Sequence, residues 1–255
     1  MFEILKNKEV GPDIFYLVLK CDELSEQPKP GQFFNVKISR KLSTDPLLRR
    51  PFSVFDFDED QNILELVYRK VGRGTEILSK YKAGEKLDVI GPLGNPFSTE
   101  KRSGLIHLVG GGMGIVPLHY LARTLEKGEK KVFLGAENSD ELEFFTKRFK
   151  KMNVEIHRAA MTEKMEIKGS VLVLWMNYLD QEKPLFVYTC GPEKMLSAVE
   201  KECLKSSIQG QLSIERRMGC GIGVCLSCSC ETTEGNKRSC VDGPVFTLGE
   251  VVLNA

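Results

Sequence analysis

The sequence predicts a multidomain chain of α+β and α/β type: a small antiparallel β-barrel, then an α/β domain built on a parallel sheet, then a small cysteine-rich C-terminal domain. Three observations carry that expectation. Short β-rich runs separated by turn signals fill the first 98 residues. Apolar runs then alternate with amphipathic stretches, as strands and crossover helices do in a parallel sheet. Five of the eight cysteines fall in one glycine-rich stretch, MGCGIGVCLSCSCETTEGNKRSC, residues 218–240. The expected boundaries are 1–98, 99–213 and 214–255.

In the first domain FYLVLK (15–20), QFFNVKI (32–38), FSVFDF (52–57), ILELVYRK (63–70) and KLDVIG (86–91) read as strands. PKPG, DEDQN and KAGE break them. A short helix is expected at TEILSKY (75–81), and the rhythm changes after GPLGNPF (91–97). LIHLV (105–109) has the composition of a buried strand; GGGMGIVP follows, and then a helix, LHYLARTLEKG, ending at Gly128. KVFLGA, VEIHRA and LFVYTCG read as further strands, ELEFFTKRFKKM and PEKMLSAVEKECLKS as helices. Repeats and low-complexity tracts are absent from the sequence.

Composition narrows the class. The 255 residues are 42% hydrophobic, with 36 basic against 35 acidic side chains, a formal charge of +1. That balance argues against nucleic acid as a partner. MFEILKNKEVGPDIF lacks the basic start and apolar core of a secretory signal, and apolar runs such as SVLVLWM (170–176) are too short to span a bilayer. A cytoplasmic location with no membrane contact is expected, where thiols stay reduced. Clustered cysteines then read as metal ligands before they read as disulfides.

Their spacing is Cys220-x4-Cys225-x2-Cys228, with Cys240 after eleven intervening residues. This is the order of plant-type [2Fe–2S] sites, in which four thiolates hold two bridged irons. Gly219, Gly221 and Gly223 let the backbone curl and bring N–H groups to the sulfurs. A structural zinc site also takes four thiolates, but usually from two short knuckles, and only one is present. Cys230 lies two residues beyond Cys228, and alternation along an extended chain makes it the spare thiol.

Two glycine segments suit phosphate. GGGMG (110–114) joins a buried strand to a helix start, offering N–H groups and a positive dipole end, or else only close helix–sheet packing. VGRGTE (71–76) joins a strand to a helix in the same way. LLRRPFSV (47–54) combines an arginine, a proline-fixed turn and a serine that suit a phosphate and a flat ring; a barrel strand entered through a solvated Arg49–Arg50 pair is the other reading.

RPFS (50–53) and GRGT (72–75) resemble the two flavin motifs of the ferredoxin–NADP reductase superfamily. GGGMGIVP and TCGPEKM resemble its pyridine-nucleotide motifs. With the C-terminal CGIGVCLSC…CVDGPVF, the whole chain is similar to the electron-transfer subunits of dihydroorotate dehydrogenase B. That resemblance implies an FAD barrel, an NAD domain and a [2Fe–2S] domain. It also implies a partner, an FMN-containing catalytic subunit that oxidises dihydroorotate in pyrimidine (UMP) biosynthesis, in a heterotetramer of two of each. Electrons would pass through the cluster to FAD and then as hydride to NAD⁺.

Position by position, the resemblance assigns Arg50, Pro51, Phe52, Ser53, Val67, Tyr68, Arg69, Gly74 and Thr75 to FAD, and Gly111, Gly112 and Gly114 to NAD. Cys190 falls near the flavin–nicotinamide meeting point, and Cys220, Cys225, Cys228 and Cys240 match the cluster ligands. Phe52 stands where many superfamily members have tyrosine, and the chain ends VVLNA rather than in a flavin-capping aromatic residue. Glu137, after KVFLGA, favours NAD over NADP. Two other readings remain: a subunit of an NAD(P)H-dependent ferredoxin or sulfur oxidoreductase, some of which replace the first cluster cysteine with an acid, and a zinc-stabilised binding module without redox activity.

Overall fold

The computed structural model describes residues 1–21, 24–39, 45–100, 103–163 and 165–253, so Asn254 and Ala255 of the VVLNA end lie outside the described residues. Six antiparallel strands close the barrel: β1 Phe2–Gly11, β2 Ile14–Lys20, β3 Phe33–Lys37, β4 Arg50–Asp58, β5 Ile63–Arg69 and β6 Lys86–Leu93, in the order β1-β2-β5-β4-β3-β6. Period-2 alternation builds its interior: Phe34 and Val36 of β3 and Phe52 and Val54 of β4 point inward. Phe55 alternates outward into the neighbouring core, and the register shift between Val54 and Asp56 then returns Phe57, rather than Asp56, to the barrel interior. Strand β1 is missing from the sequence expectation. Its register slips between Ile4 and Lys6 and again between Glu9 and Gly11, so the alternation that would reveal it is broken.

Helix α1, Arg73–Ser79, starts two residues before the expected TEILSKY. The Thr75 hydroxyl explains the earlier start: it accepts hydrogen bonds from the Val71 and Gly72 N–H groups, at 3.0 and 3.2 Å, closing the turn that precedes the helix.

The second domain runs β7 Leu105–Gly111, α2 Ile115–Thr124, β8 Glu129–Ala136, α3 Ser139–Phe149, β9 Glu155–Ala160, β10 Ile167–Lys168, α4 Val171–Leu179, β11 Phe186–Cys190, α5 Glu193–Lys205 and β12 Gln209–Ser213. Its sheet has the order β10-β9-β8-β7-β11-β12-β15. All neighbours are parallel except β15, Val245–Thr247, which runs antiparallel to β12. A strand from the cysteine-rich region thus completes the nucleotide-domain sheet. Helix α2 ends at Thr124 because Leu125 is extended (ψ 106°), short of the expected Gly128. SVLVLWM contributes to α4: Ser170 caps it, accepting from the Val173 N–H, and Val171, Leu174 and Trp175 form its buried face.

The cysteine-rich end adds a hairpin, β13 Ser229–Thr232 with β14 Gly235–Arg238. Among the described residues no helix is long and apolar enough to cross a membrane.

Candidate functional site

The loop between β12 and β13 curls through left-handed backbone at Gly221 (φ 76°) and Gly223 (φ 83°). Those turns aim main-chain donors at sulfur. Gly223 N–H donates to Cys240 Sγ at 3.2 Å, and Ile222 and Cys225 N–H donate to Cys220 Sγ at 3.4 Å each. Cys220 N–H donates to Cys225 Sγ at 3.3 Å. The thiols stand in two contacting pairs, Cys220 with Cys225 and Cys228 with Cys240. Among the described residues no three Cys, His, Asp or Glu side chains gather around a point for a single ion. A two-iron cluster carries two thiolates on each iron, and paired thiols fed by backbone donors fit that demand.

Electrostatics differ across the loop. The exposed Cys225 thiol is drawn down to about 6, chiefly by the Ser227 hydroxyl 3.1 Å away and then by the Cys220 backbone. Cys240 is pushed up to about 11 by burial, and it lies with Cys228 against Phe33 of the barrel. Cys230 is turned elsewhere. Its Sγ donates to the Lys237 carbonyl at 3.5 Å and packs with Phe246, Leu248 and Val251 in the core under the sheet.

On the barrel, β3 and β4 pair Phe33 with Ser53 and Asn35 with Pro51, so these four side chains share one outer face. The Arg50 guanidinium reaches over α1, where a Cβ on Gly74 would lie 3.0 Å from its Nε. Arg50 bonds the Leu48 and Arg49 carbonyls, and among the described residues no carboxylate pairs with it. An unpaired guanidinium beside first-turn N–H groups that have no partner within the helix fits the pyrophosphate of FAD. Other sequence-assigned side chains are committed elsewhere. Phe52 and Tyr68 face the barrel interior with rings 5.4 Å apart, and Tyr68 donates to Asn7 Oδ1 at 3.0 Å. Val67 packs in the core shared with the second domain, Arg69 pairs with Glu141 of α3 at 2.5 Å, and Thr75 closes its own turn. Arg50, Pro51 and Ser53 stay partly exposed, Gly74 lies beneath Arg50, and the side chains of Phe52, Val67, Tyr68 and Thr75 are buried.

In the second domain, β7 lies between β8 and β11, and the loops after β7 and β11 flank the crevice at the carboxyl ends where the connections diverge. The three glycines there have distinct surroundings. A Cβ on Gly114 would stand 2.2 Å from the Cys190 carbonyl oxygen, and one on Gly111 would stand 2.7 Å from Met195 Sδ. Both permit close packing of the two loops. Gly112, with φ 56°, has no atom within 4 Å of such a Cβ and is the glycine facing open space. Cys190, paired with Gly110 at the end of β11, is half-buried; burial pushes its thiol up to about 12, with the Ser213 hydroxyl opposing, so the group is a neutral thiol. Glu137 is exposed at the end of β8.

Sequence reasoning missed Ser227 and Asn35. Ser227 had a signal in its position between two ligand-spaced cysteines, and Asn35 in being the polar residue of an apolar strand run, QFFNVKI.

Comparisons with known proteins agree with this geometry. Residues 215–252 match the iron–sulfur cluster binding domain of dihydroorotate dehydrogenase B, and residues 1–97 match an oxidoreductase FAD-binding domain. A dihydroorotate dehydrogenase B (NAD(+)) electron transfer subunit from Lysinibacillus sphaericus is 38% identical over 98% of this chain and 97% of its own. The subunit of that name from Clostridium acetobutylicum is 35% identical over 99% and 96%. Among solved structures, an NADH-dependent reduced ferredoxin–NADP oxidoreductase, studied for flavin-based electron bifurcation, superposes with a TM-score of 0.88 at 28% identity, covering 99% of this chain and 90% of that one.

Proposed function

The chain belongs to the family of dihydroorotate dehydrogenase B (NAD(+)) electron transfer subunits, and on that premise we propose how its own residues take electrons from a dihydroorotate-oxidising partner and deliver them to NAD⁺. FAD, when bound, exchanges two electrons with a nicotinamide and single electrons with an iron–sulfur cluster, so its place is between the two. Residues 1–98 carry the flavin, 99–213 the nicotinamide nucleotide and 214–255 the cluster. Cys220, Cys225, Cys228 and Cys240 hold the two irons, while the N–H groups of Ile222, Gly223 and Cys225 feed sulfur. Hydrogen bonds of this kind stabilise the more negative, reduced state.

Arg50 and the start of α1 at Gly74 and Thr75 neutralise the FAD pyrophosphate. Pro51 and Ser53 form the floor beside the flavin ring, supported from inside the barrel by Phe52 and Tyr68, with Val67 and Arg69 contributing main chain. Gly112 gives the nicotinamide nucleotide its backbone approach, and Gly111 and Gly114 hold the loop in shape. Cys190 lines the meeting point as a neutral thiol, a packing and polar contact rather than a nucleophile.

The partner is an FMN-containing catalytic subunit, two of each forming a heterotetramer in the cytoplasm. One observation carries the reading: four thiols stand in two contacting pairs fed by backbone donors, and one pair lies against the strand next to the RPFS strand. Ile222, Val224 and Leu226 of this loop are exposed by 53%, 76% and 61%, a rim suited to an apolar subunit surface. Co-expression with the dihydroorotate-oxidising subunit tests it: the complex should co-purify and reduce NAD⁺ on addition of dihydroorotate. A flavin- and iron-containing complex that reduces a ferredoxin but never oxidises dihydroorotate would favour the second reading, to which the 28% identical oxidoreductase structure gives weight.

A further inference from the structure

Asn35 is a polar residue in an apolar strand, and it is 1% exposed. Alternation in β3 sends Phe34 and Val36 into the barrel, leaving Phe33 and Asn35 on the outer face under the cysteine loop. There Phe33 packs on Cys228 and Cys240. The Asn35 Nδ2 donates to the Cys220 carbonyl at 3.1 Å, across 185 residues of sequence. Contact with the next residue is so close that a Cβ on Gly221 would lie 2.4 Å from Nδ2. The other side-chain atom, Oδ1, is buried with no hydrogen-bond partner among the described residues. Burying a half-satisfied carboxamide costs free energy that an apolar side chain in the same place would not. Its cross-strand neighbour on this face is Pro51 of the RPFS strand. One carboxamide therefore stands between the loop of cluster cysteines and the strand assigned to the flavin.

We propose that Asn35 is a positioning residue for electron transfer between the two cofactors: its Nδ2 clamps the Cys220 end of the loop to the flavin face, and its N–H dipole helps set the potential of a cluster held there. The inference rests on the cofactor assignment above. The sign follows from charge. Reduction adds one negative charge to the cluster, and a nearby donor dipole turned towards the loop favours that state. Replacing the donor with an apolar group removes this help, and replacing it with a carboxylate opposes reduction.

The test uses the full chain with its cofactors, comparing wild type, Asn35→Leu and Asn35→Asp by anaerobic redox titration followed by EPR. The expected cluster potentials fall in the order wild type, Asn35→Leu, Asn35→Asp, with altered g values in both variants. In stopped flow, flavin bleaching by NADH keeps its wild-type rate and the subsequent cluster reduction slows several-fold. Iron loss at full flavin content also supports the clamp. If Asn35→Leu does not fold, the near-isosteric Asn35→Asp carries the titration alone. Iron-replete variants with the wild-type potential and spectrum would overturn the proposal. A wild-type chain that holds neither iron nor flavin would instead overturn the cofactor assignment, a separate result.

Discussion

Cys225 and Cys230 lie five residues apart yet face different surroundings, and this difference makes the ligand assignment testable. Cys225 is exposed in the loop, with its thiol held low by Ser227, whereas Cys230 is 5% exposed and packed beneath the sheet. Cys225→Ser should therefore abolish the iron–sulfur absorption, and Cys230→Ser should keep it, as read by iron content per chain. The glycines of the nucleotide crevice separate as sharply. Gly114→Ala drives a methyl group into the Cys190 carbonyl at 2.2 Å, a backbone clash expected to cost about 3 kcal/mol or more in urea unfolding. Gly112→Ala meets only the cost of left-handed backbone, roughly 1–2 kcal/mol. It should instead show its main effect as a raised KM for NADH. The cysteine spacing was readable because C-x4-C-x2-C is a local pattern. Asn35 and Ser227 acquire their roles only from contacts that the fold creates.

At the scale of elements, α3 ties the two large domains together. Arg148 of this helix bonds Glu65 of β5 at 2.5 Å and Asp56 of β4 at 3.4 Å, and its guanidinium lies 5.1 Å from the Phe55 ring centre. Arg123 of α2 reaches the same Asp56 at 2.7 Å. Burial raises the Glu65 carboxyl, and Arg148 works against that rise. Arg148→Met leaves Glu65 charged and half-buried, which should cost roughly 1–3 kcal/mol at neutral pH. Without Arg148 the Glu65 pKa rises further, so the penalty is present above that pKa and shrinks as acid protonates the group. Urea midpoints of variant and wild type should accordingly converge as the pH is lowered from neutrality.

Elements with strong local patterns, such as β7, α3 and α5, were legible in the sequence nearly to their ends. Strand β1 was hidden by its register slips, and the short polar β12 and the antiparallel β15 owe their existence to pairing partners distant in the chain. In α4 the unbroken apolar run SVLVLWM concealed a helical period, since its exposed positions, Val173 and Met176, are apolar too. The side-chain directions of Phe52 and Tyr68 were equally unreadable, because a motif names residues without saying which face of the barrel they occupy.

Across the whole molecule, two buried histidines couple stability to pH. His119 of α2 is wedged against the barrel, stacked on Phe55 at 4.1 Å with its Nδ1–H donating to the Phe55 carbonyl, and burial lowers it to about 3. His107 of β7 accepts from Trp175 Nε1 at 3.1 Å and is lowered by burial to about 4. Both are neutral in the folded chain, whereas the unfolded chain takes up protons below about 6.5. Their stabilising contribution is complete above that pH and is lost as pH falls towards the folded values, at up to about 1.4 kcal/mol per pH unit for each. Chemical denaturation at pH 7, 5.5 and 4.5 should show this decline, and His119→Gln should flatten it. The packing that buries His119 joins the barrel to the nucleotide domain, and β15 joins the cluster region to that domain's sheet. The three cofactor regions are thereby built into one electron path. An anaerobic titration of the purified chain with NADH, followed by visible absorbance and EPR, tests that path most directly. Loss of flavin absorbance together with the EPR signal of a reduced [2Fe–2S] cluster is the expected result. A colourless protein, or a flavin that bleaches while the cluster stays oxidised, would contradict it.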